Sequence, residues 1–232
     1  MNQPTVRILA PTAFASALDV LAKETDPGLV SYDYGPATGP SPQSITSRLQ
    51  AGEACDFVIL PVALAYAEIG AGRLIGTPVQ IFASTVAFCV PSGAERPDLS
   101  TEAGLWRALS AAPSIGLSAA GSGTFFRDVL LPQSGQGSAL AEKLLTVTDR
   151  PVGTAVADGL VALGFQQKAE LLEADGIEVI DDLAEVARNE TWLVLVQCAG
   201  SDASAAKAPL LDRLLSTHGR QILSAHGLIP AH

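Results

Sequence analysis

The sequence predicts an α/β fold in which mostly parallel sheets are flanked by helices. Three strand–loop–helix units follow one another between residues 6 and 70, an order that is typical of parallel strands joined by helical crossovers. A second strand–helix series begins at residues 114–117, after a long apolar run at 81–90. With 232 residues, of which 48% are hydrophobic, the chain can bury the core of one large domain or two small ones.

The first three units are predicted from short apolar runs and the helical patterns that follow them. Strands are predicted at 6–10, 30–34 and 55–60, and helices at 13–24, 43–51 and 62–70. Ser41 is the expected N-cap of the second helix, with Pro42 at its first position. Pro61 is expected to end the third strand.

The rest of the chain continues the alternation of strands and helices. Strands are predicted at 81–90, 114–117, 177–180 and 191–198. Helices are predicted at 101–111, 124–131, 139–145, 206–215 and 218–225, and residues 152–165 are predicted to hold a helix and a strand. The carboxyl ends of the parallel strands are the expected location of the functional loops.

Composition excludes several classes of partner. The formal net charge is −10, and the Lys and Arg residues are scattered singly, so no nucleic acid partner is predicted. No stretch approaches the roughly 18 apolar residues of a membrane span, so no membrane insertion is predicted. Cys55, Cys89 and Cys198 have no metal or redox spacing and are predicted to lie in the core. Neither a metal nor a cofactor is predicted.

The first seven residues lead directly into a strand-like segment, without the basic and hydrophobic regions of a leader peptide. Two locations follow as alternatives. The protein is cytoplasmic if Met1 is its native start, and periplasmic if a leader peptide has been removed.

The loops after the first two strands carry candidate ligand-binding residues. Thr12 stands at a natural helix N-cap, and the amide of Ala13 follows it, so both could face an anion. The alternative is simple capping by Thr12. Thr38 and Ser41 lie in a Gly- and Pro-rich loop before the second helix, where turn chemistry alone also selects such residues.

The second series carries the loop that most strongly indicates anion binding. Ser122 and Thr124 place hydroxyls among small residues before a helix, without the Lys of a P-loop. Arg127 lies one turn further on and could reach a bound anion, or pair instead with Asp128 or Asp149. Near 150–155 another helix start offers Thr154, with capping as the equal alternative. No catalytic motif accompanies these loops, so they indicate binding rather than catalysis.

Several segments resemble the molybdate-binding family of type II periplasmic solute-binding proteins. The segment ILAPTAF at 8–14 resembles that family's first strand and ligand loop. The segment SRLQAGEACDF at 47–57 is similar to its helix, acidic turn and third strand, and is the most specific match. Residues 153–165 resemble its second-lobe helix and strand, and residues 214–216 and 222–230 resemble its closing helices and terminal signature.

This resemblance implies a two-lobed type II periplasmic-binding-protein fold with a ligand cleft closed by hinge motion. It implies a lobe 1 of residues 1–80 plus 200–232 and a lobe 2 of residues 81–199. Carried over by position, six residues line the cleft: Thr12, Ala13, Thr38, Ser41, Ser122 and Thr154. Gln166 and Gln167 occupy the place of an aromatic family residue, and the first two loops also depart from the family pattern. These departures suit a carboxylate ligand better than molybdate.

Two functions of different class follow. The first is a monomeric binding protein that closes on an oxyanion such as molybdate, or on a small organic acid, and serves an ABC transporter permease or reports ligand level. The second is a cytosolic isomerase of an unsaturated polycarboxylic acid, since relatives of this fold resemble aconitate isomerase. Arg127 could clamp a carboxylate in such an enzyme, but the sequence identifies no base.

Overall fold

The computed structural model describes residues 6–25, 28–39, 41–135 and 137–232. The strands are β1 (Val6–Pro11), β2 (Val30–Gly35), β3 (Phe57–Pro61), β4 (Leu74–Pro91), β5 (Ile115–Ser118), β6 (Leu144–Val147), β7 (Leu163–Gln167), β8 (Ile177–Ile180), β9 (Glu190–Cys198) and β10 (Ile229–Pro230). The helices are α1 (Ala15–Thr25), α2 (Ile45–Gln50), α3 (Val62–Gly70), α4 (Glu102–Ala111), α5 (Gly121–Phe125), α6 (Leu131–Gln133), α7 (Gly137–Ala141), α8 (Val152–Ala157), α9 (Lys168–Leu172), α10 (Lys207–Leu214) and α11 (Thr217–Ala225). The predicted mixture of strands and flanking helices is confirmed.

Contacts group the chain into two compact units. Unit 1 comprises Met1–Ser84 and Thr191–His232, and unit 2 comprises Thr85–Glu190. The predicted boundaries, after residues 80 and 199, assign β9 to lobe 2. In the structure β9 groups with unit 1, because it pairs antiparallel with β3.

The sheet of unit 1 has parallel strands β2, β1 and β3 in that order, followed by the antiparallel β9. The predicted parallel arrangement is therefore confirmed for the first three strands. They pair side by side because their apolar residues fill one core, in which Leu9, Val58 and Val196 are almost fully buried.

Cys55 and Cys198 form a disulfide bond in unit 1, with their Cα atoms 6.0 Å apart. Both are buried, as predicted, but their pairing was not predicted. The reason is the antiparallel register, in which Phe57 faces Gln197, so that the residues flanking this pair meet although they are 143 positions apart in the chain. Cys89 is buried and free.

The second helix begins later than predicted. Ser44, rather than Ser41, is its N-cap, and the Ser44 hydroxyl accepts a hydrogen bond from the amide of Ser47. Ser41 instead turns the chain before the helix, because its hydroxyl accepts from Gln43 N at 3.2 Å and its carbonyl from Ser44 N. Residues 41–44 are thus a turn that positions the helix.

The sheet of unit 2 has the order β8-β4-β7-β5-β6, in which β7, β5 and β6 are parallel and β4 is antiparallel to both its neighbours. Phe88, Phe126 and Phe165 pack together in its core, with ring centroids 4.7 to 6.3 Å apart. Five residues, Phe126–Leu130, form a π-helical turn between α5 and α6. Such turns are frequent at functional sites.

Residues 139–145 differ most from expectation. The predicted helix ends early, as α7, and Leu144 begins strand β6, which pairs in parallel with β5 from Ile115 onwards. The leucines at 140, 144 and 145 have helical spacing. Residues 144–147 nevertheless form a strand, because they pair with the edge of β5 that β7 does not occupy. No helix within the described residues is long and apolar enough to cross a membrane.

Candidate functional site

Three parallel strands of unit 2 end side by side. The register aligns Ser118 of β5 with Val147 of β6, and Leu117 of β5 with Phe165 of β7. The strand ends therefore form one row, which we call the carboxyl edge of unit 2, with neighbouring strands about 4.8 Å apart. Loops that leave such an edge are the usual location of ligand sites in α/β proteins.

A buried pair of hydroxyls lies at the centre of this edge. The Ser118 and Ser122 oxygens are 2.9 Å apart, and both residues are less than 9% exposed. The Ser118 hydroxyl also accepts a hydrogen bond from the amide of Ala120. One hydroxyl proton at most is used between the two serines, so the pair can offer a donor to an anion.

Gly123 allows the helix after this loop to approach the end of β5. A Cβ atom at this position would overlap the carbonyl oxygen of Ser118. Thr124, the next residue, is exposed, and its amide donates to Ala120 O within the first turn of α5. The helix begins at Gly121, earlier than predicted, so Ser122 and Thr124 lie in its first turn and not in a loop before it.

Arg127 brings a positive charge to the same edge. Its guanidinium nitrogens lie 3.5 Å from the Thr146 hydroxyl and 3.5 Å from the Ser118 carbonyl oxygen. It forms no ion pair within the described residues, and Asp149, one of its predicted alternative partners, pairs with Arg150 at 2.8 Å. These two contacts are long, so most of the five guanidinium N–H donors are left for a ligand.

Gln166, at the end of β7, was noted in the sequence only as a departure from the family pattern. Its side-chain oxygen accepts a hydrogen bond from the Val152 amide at 2.9 Å, and the residue is 4% exposed. Glu170, four residues further along the chain, is partly buried in α9. Burial raises the pKa of Glu170 to about 7.

Thr154 lies in the first turn of α8 and is partly buried. It is not an N-cap, because Pro151 occupies the capping position. The first amide of the helix, from Val152, is satisfied by Gln166. The sequence could not predict this arrangement, since the two residues are 14 positions apart and belong to different elements.

The predicted residues of unit 1 lie at the corresponding end of its own sheet. Pro11 of β1 and Gly35 of β2 are paired in register, so the loops that carry Thr12, Ala13 and Thr38 leave the same edge. Thr12 and Thr38 are exposed, and Ala13 is partly buried. Thr12 begins a 3₁₀ turn and makes no capping hydrogen bond, so the capping alternative is wrong for this residue.

A charged cluster lies near the opposite ends of the unit 1 strands. Arg48 and Arg7 each hydrogen-bond to Glu53, at 2.7 and 2.5 Å, and Arg7 also pairs with Asp33. Hydrogen bonds from Arg48, and then from Arg7, lower the pKa of Glu53 to about 2. This cluster satisfies its own charges, which indicates a structural role.

Asp56 has a structural role as well. Its carboxylate accepts hydrogen bonds from the amide of Arg7 at 2.8 Å and from the hydroxyl of Ser201 at 2.7 Å.

Within the part of the chain that the structure describes, no group of three His, Cys, Asp or Glu side chains is arranged to hold a metal ion.

An α/β chain of two units, each with polar loops at the carboxyl ends of parallel strands, has the arrangement found in the periplasmic-binding-protein class. The chain belongs to the family described as bacterial extracellular solute-binding protein, whose model matches residues 6–229. The predicted membership of this superfamily is thereby confirmed.

The chain is similar to individual proteins in sequence or in fold. An aconitate isomerase from Pseudomonas sp. is 28% identical over 196 residues, which cover 84% of this chain and 75% of that protein. A substrate-binding domain from Clostridium difficile, assigned to a molybdenum ABC transporter, is 17% identical with a TM-score of 0.74, covering 98% and 99% of the two chains. The periplasmic molybdate-binding protein of Azotobacter vinelandii is 16% identical with a TM-score of 0.71, covering 98% and 100%.

Proposed function

We propose that this solute-binding protein binds a small organic-acid anion, and that the carboxyl edge of unit 2 supplies part of the site. The observation that carries the proposal is the guanidinium of Arg127, which lies beside the end of β5 and has no carboxylate partner among the described residues. In a chain of net charge −10, such a cation next to a buried hydroxyl pair favours an anionic ligand.

The chemistry of the edge favours a carboxylate over a compact oxyanion. A guanidinium presents two parallel N–H donors, which match the two oxygens of a carboxylate. Ser122 and Thr124 add hydroxyl donors next to it, which suits a ligand with more than one polar group. Similarity to an aconitate isomerase supports a polycarboxylic acid, and similarity to molybdate-binding proteins keeps an oxyanion as the competing ligand.

The remaining predicted ligand contacts are part of the same proposal. Thr12, Ala13, Thr38 and Ser41 in unit 1, and Thr154 in unit 2, stay predictions as ligand-binding residues. Closure of two lobes around the ligand also stays a prediction from the family resemblance.

Binding and the role of Arg127 are tested together by calorimetry. The purified protein is titrated with molybdate, sulfate, citrate, cis-aconitate and trans-aconitate. Arg127→Gln should weaken binding of the organic acid about 10- to 100-fold, because a charge-assisted hydrogen bond contributes about 1.5–3 kcal/mol. Arg107→Gln is the matched control, since it removes an exposed positive charge from helix α4 of the same unit.

The proposal is wrong if none of these anions binds, or if Arg127→Gln binds the organic acid as tightly as the wild type does. Tight binding of molybdate alone would leave the family assignment intact and overturn the choice of a carboxylate.

A second candidate function, isomerisation of an unsaturated tricarboxylic acid, is supported by the 28% identity to aconitate isomerase. Such a reaction moves one proton from one carbon to another and shifts a double bond, without net oxidation or reduction. Proton NMR of cis- or trans-aconitate incubated with the protein tests it directly. Interconversion of the two acids would establish an enzyme, and a ligand that binds but stays unchanged would support the binding protein.

We propose that the protein matures in an oxidising compartment and delivers its ligand to a membrane transporter. The buried disulfide Cys55–Cys198 supports the location, because reducing cytosol disfavours such bonds. The family description and the similarity to transporter-associated binding domains support the transporter as partner. Alkylation of the protein isolated from cells under denaturing, non-reducing conditions should label Cys89 alone, whereas a cytosolic protein would be labelled at all three cysteines.

A further inference from the structure

Thr146, the third residue of β6, brings a hydroxyl to the carboxyl edge of unit 2. Strand β6 pairs in parallel with β5, and the register places Thr146 beside Leu117. Residues paired in this way point to the same face of the sheet. Leu117 is buried in the core that also contains Phe126 of the π-helical turn. Thr146 therefore lies on the face of the sheet that this turn covers, and the same turn carries Arg127.

The Thr146 hydroxyl lies 3.5 Å from Nη1 of the Arg127 guanidinium. The other terminal nitrogen, Nη2, lies 3.5 Å from the carbonyl oxygen of Ser118. Both distances are at the outer limit for a hydrogen bond, since the usual distance between a nitrogen donor and an oxygen acceptor is about 2.9 Å. Within the described part of the chain, neither Arg127 nor Thr146 has a shorter side-chain contact with a polar group. Both side chains therefore keep hydrogen-bonding capacity for a ligand.

The distance between Thr146 and Arg127 suits two groups that donate to one shared oxygen. Arginine has only donors, so a hydroxyl that accepts from it directs its own proton elsewhere. Thr146 is exposed, and that proton is therefore accessible to a ligand. An oxygen atom can lie about 2.8 Å from each of two donors that are 3.5 Å apart. The same carboxylate oxygen can thus be held by both side chains.

Resting on the proposed anion site, we propose that Thr146 is a further ligand-binding residue, which donates its hydroxyl proton to the carboxylate oxygen bound by Arg127 Nη1. A second guanidinium N–H holds the other oxygen of that carboxylate. The hydroxyl pair of Ser118 and Ser122 belongs to the neighbouring strand end and remains for a second polar group of the ligand. The ligand class that uses both positions is a di- or tricarboxylic acid.

Thr146→Val separates this role from a purely structural one. Valine has nearly the same shape as threonine and also favours strands, so β6 should stay intact when the hydroxyl is removed. The position is exposed, and no core packing is lost. The urea midpoint of the variant should therefore equal that of the wild type.

The test is calorimetric titration of these proteins with trans-aconitate. Thr146→Val should raise the Kd about tenfold, because one hydrogen bond to a charged ligand is lost. Thr146→Ser should stay within about threefold of the wild type, because serine keeps the hydroxyl. Arg127→Gln combined with Thr146→Val should raise the Kd by clearly less than the product of the two single effects, because both side chains bind one oxygen. Crotonate, which has a single carboxylate, should bind the wild type at least about tenfold more weakly than trans-aconitate.

Thr148→Val is the matched control, because it removes an exposed hydroxyl two residues further along the chain. Thr148 makes no contact with Arg127 among the described residues, so this variant should bind as the wild type does. The inference is overturned if Thr146→Val binds as tightly as the wild type, if Thr146→Ser is as weak as Thr146→Val, or if the effects of Arg127→Gln and Thr146→Val multiply. Equal weakening by Thr148→Val would overturn it as well.

These outcomes differ from a failure of the proposed site. If the wild type binds none of the tested anions, or if Arg127→Gln binds as tightly as the wild type, the site itself is wrong. If Arg127→Gln weakens binding and Thr146→Val does not, only the role of Thr146 is wrong. Binding of crotonate as tight as that of trans-aconitate would overturn the ligand class.

Discussion

Removing the Cys55–Cys198 disulfide should strongly lower the stability of this protein. The bond closes a loop in which the two cysteines are 143 residues apart, and that loop contains the whole of unit 2. The unfolded chain loses much of its freedom when so long a loop is closed. Reduction restores that freedom and thus favours unfolding.

The magnitude follows from the loop length. Loop-closure entropy for a separation of 143 corresponds to about 5 kcal/mol at 25 °C, and native disulfides contribute about 2–5 kcal/mol in practice. With an m-value of about 2.5 kcal/mol per molar, the urea midpoint should fall by about 1–2 M. The cysteines are 9% and 3% exposed, so the protein must be unfolded during reduction.

Equilibrium unfolding in urea, followed by far-UV circular dichroism with and without reductant, measures this effect. Cys89→Ala should respond to reductant as the wild type does, because Cys89 is free. The double variant Cys55→Ala/Cys198→Ala should be insensitive to reductant. An unchanged midpoint for the reduced wild type, or three reactive thiols in the denatured unreduced protein, would refute the reasoning.

Two further predictions concern single side chains. Gly123→Ala should lower the free energy of unfolding by more than about 1 kcal/mol and weaken anion binding, because the added Cβ would overlap the carbonyl oxygen of Ser118. Gly121→Ala is the control in the same melting and titration experiments, because a Cβ at Gly121 meets no atom within 4 Å. Glu53→Gln should cost about 1 kcal/mol at pH 7, discounted for partial exposure, since Arg48 holds the pKa of Glu53 at about 2. That contribution is complete above pH 4.5, the ordinary pKa of a Glu side chain, and disappears as pH falls through 2. The wild type and Glu53→Gln should therefore differ in their free energy of unfolding at pH 7 but not at pH 2.

Local sequence patterns predicted most of the elements. Helix α3 begins and ends where it was predicted, because Pro61 stops the preceding strand and the apolar spacing of the helix is regular. Strands β1 and β8 were found because short apolar runs bounded by loop residues have few alternatives. The α/β class followed from the order of these elements, and it is confirmed.

The sequence could not predict features that depend on residues distant in the chain. The disulfide depends on the pairing of β3 with β9, and the Gln166–Val152 hydrogen bond depends on two elements of unit 2. Strand β6 was predicted as helix because its leucines have helical spacing, whereas its conformation depends on pairing with β5.

The order of the units along the chain determines which unit can complete its fold first during synthesis. Unit 2 is one uninterrupted segment, so all of its contacts become available once Glu190 has emerged. Unit 1 is split, and its sheet lacks strand β9 until the residues after Glu190 have been made. The edge of β3 that pairs with β9 therefore stays unpaired while unit 2 is synthesised. Because an unpaired strand edge favours aggregation, unit 1 is the part of the chain that most needs protection during synthesis.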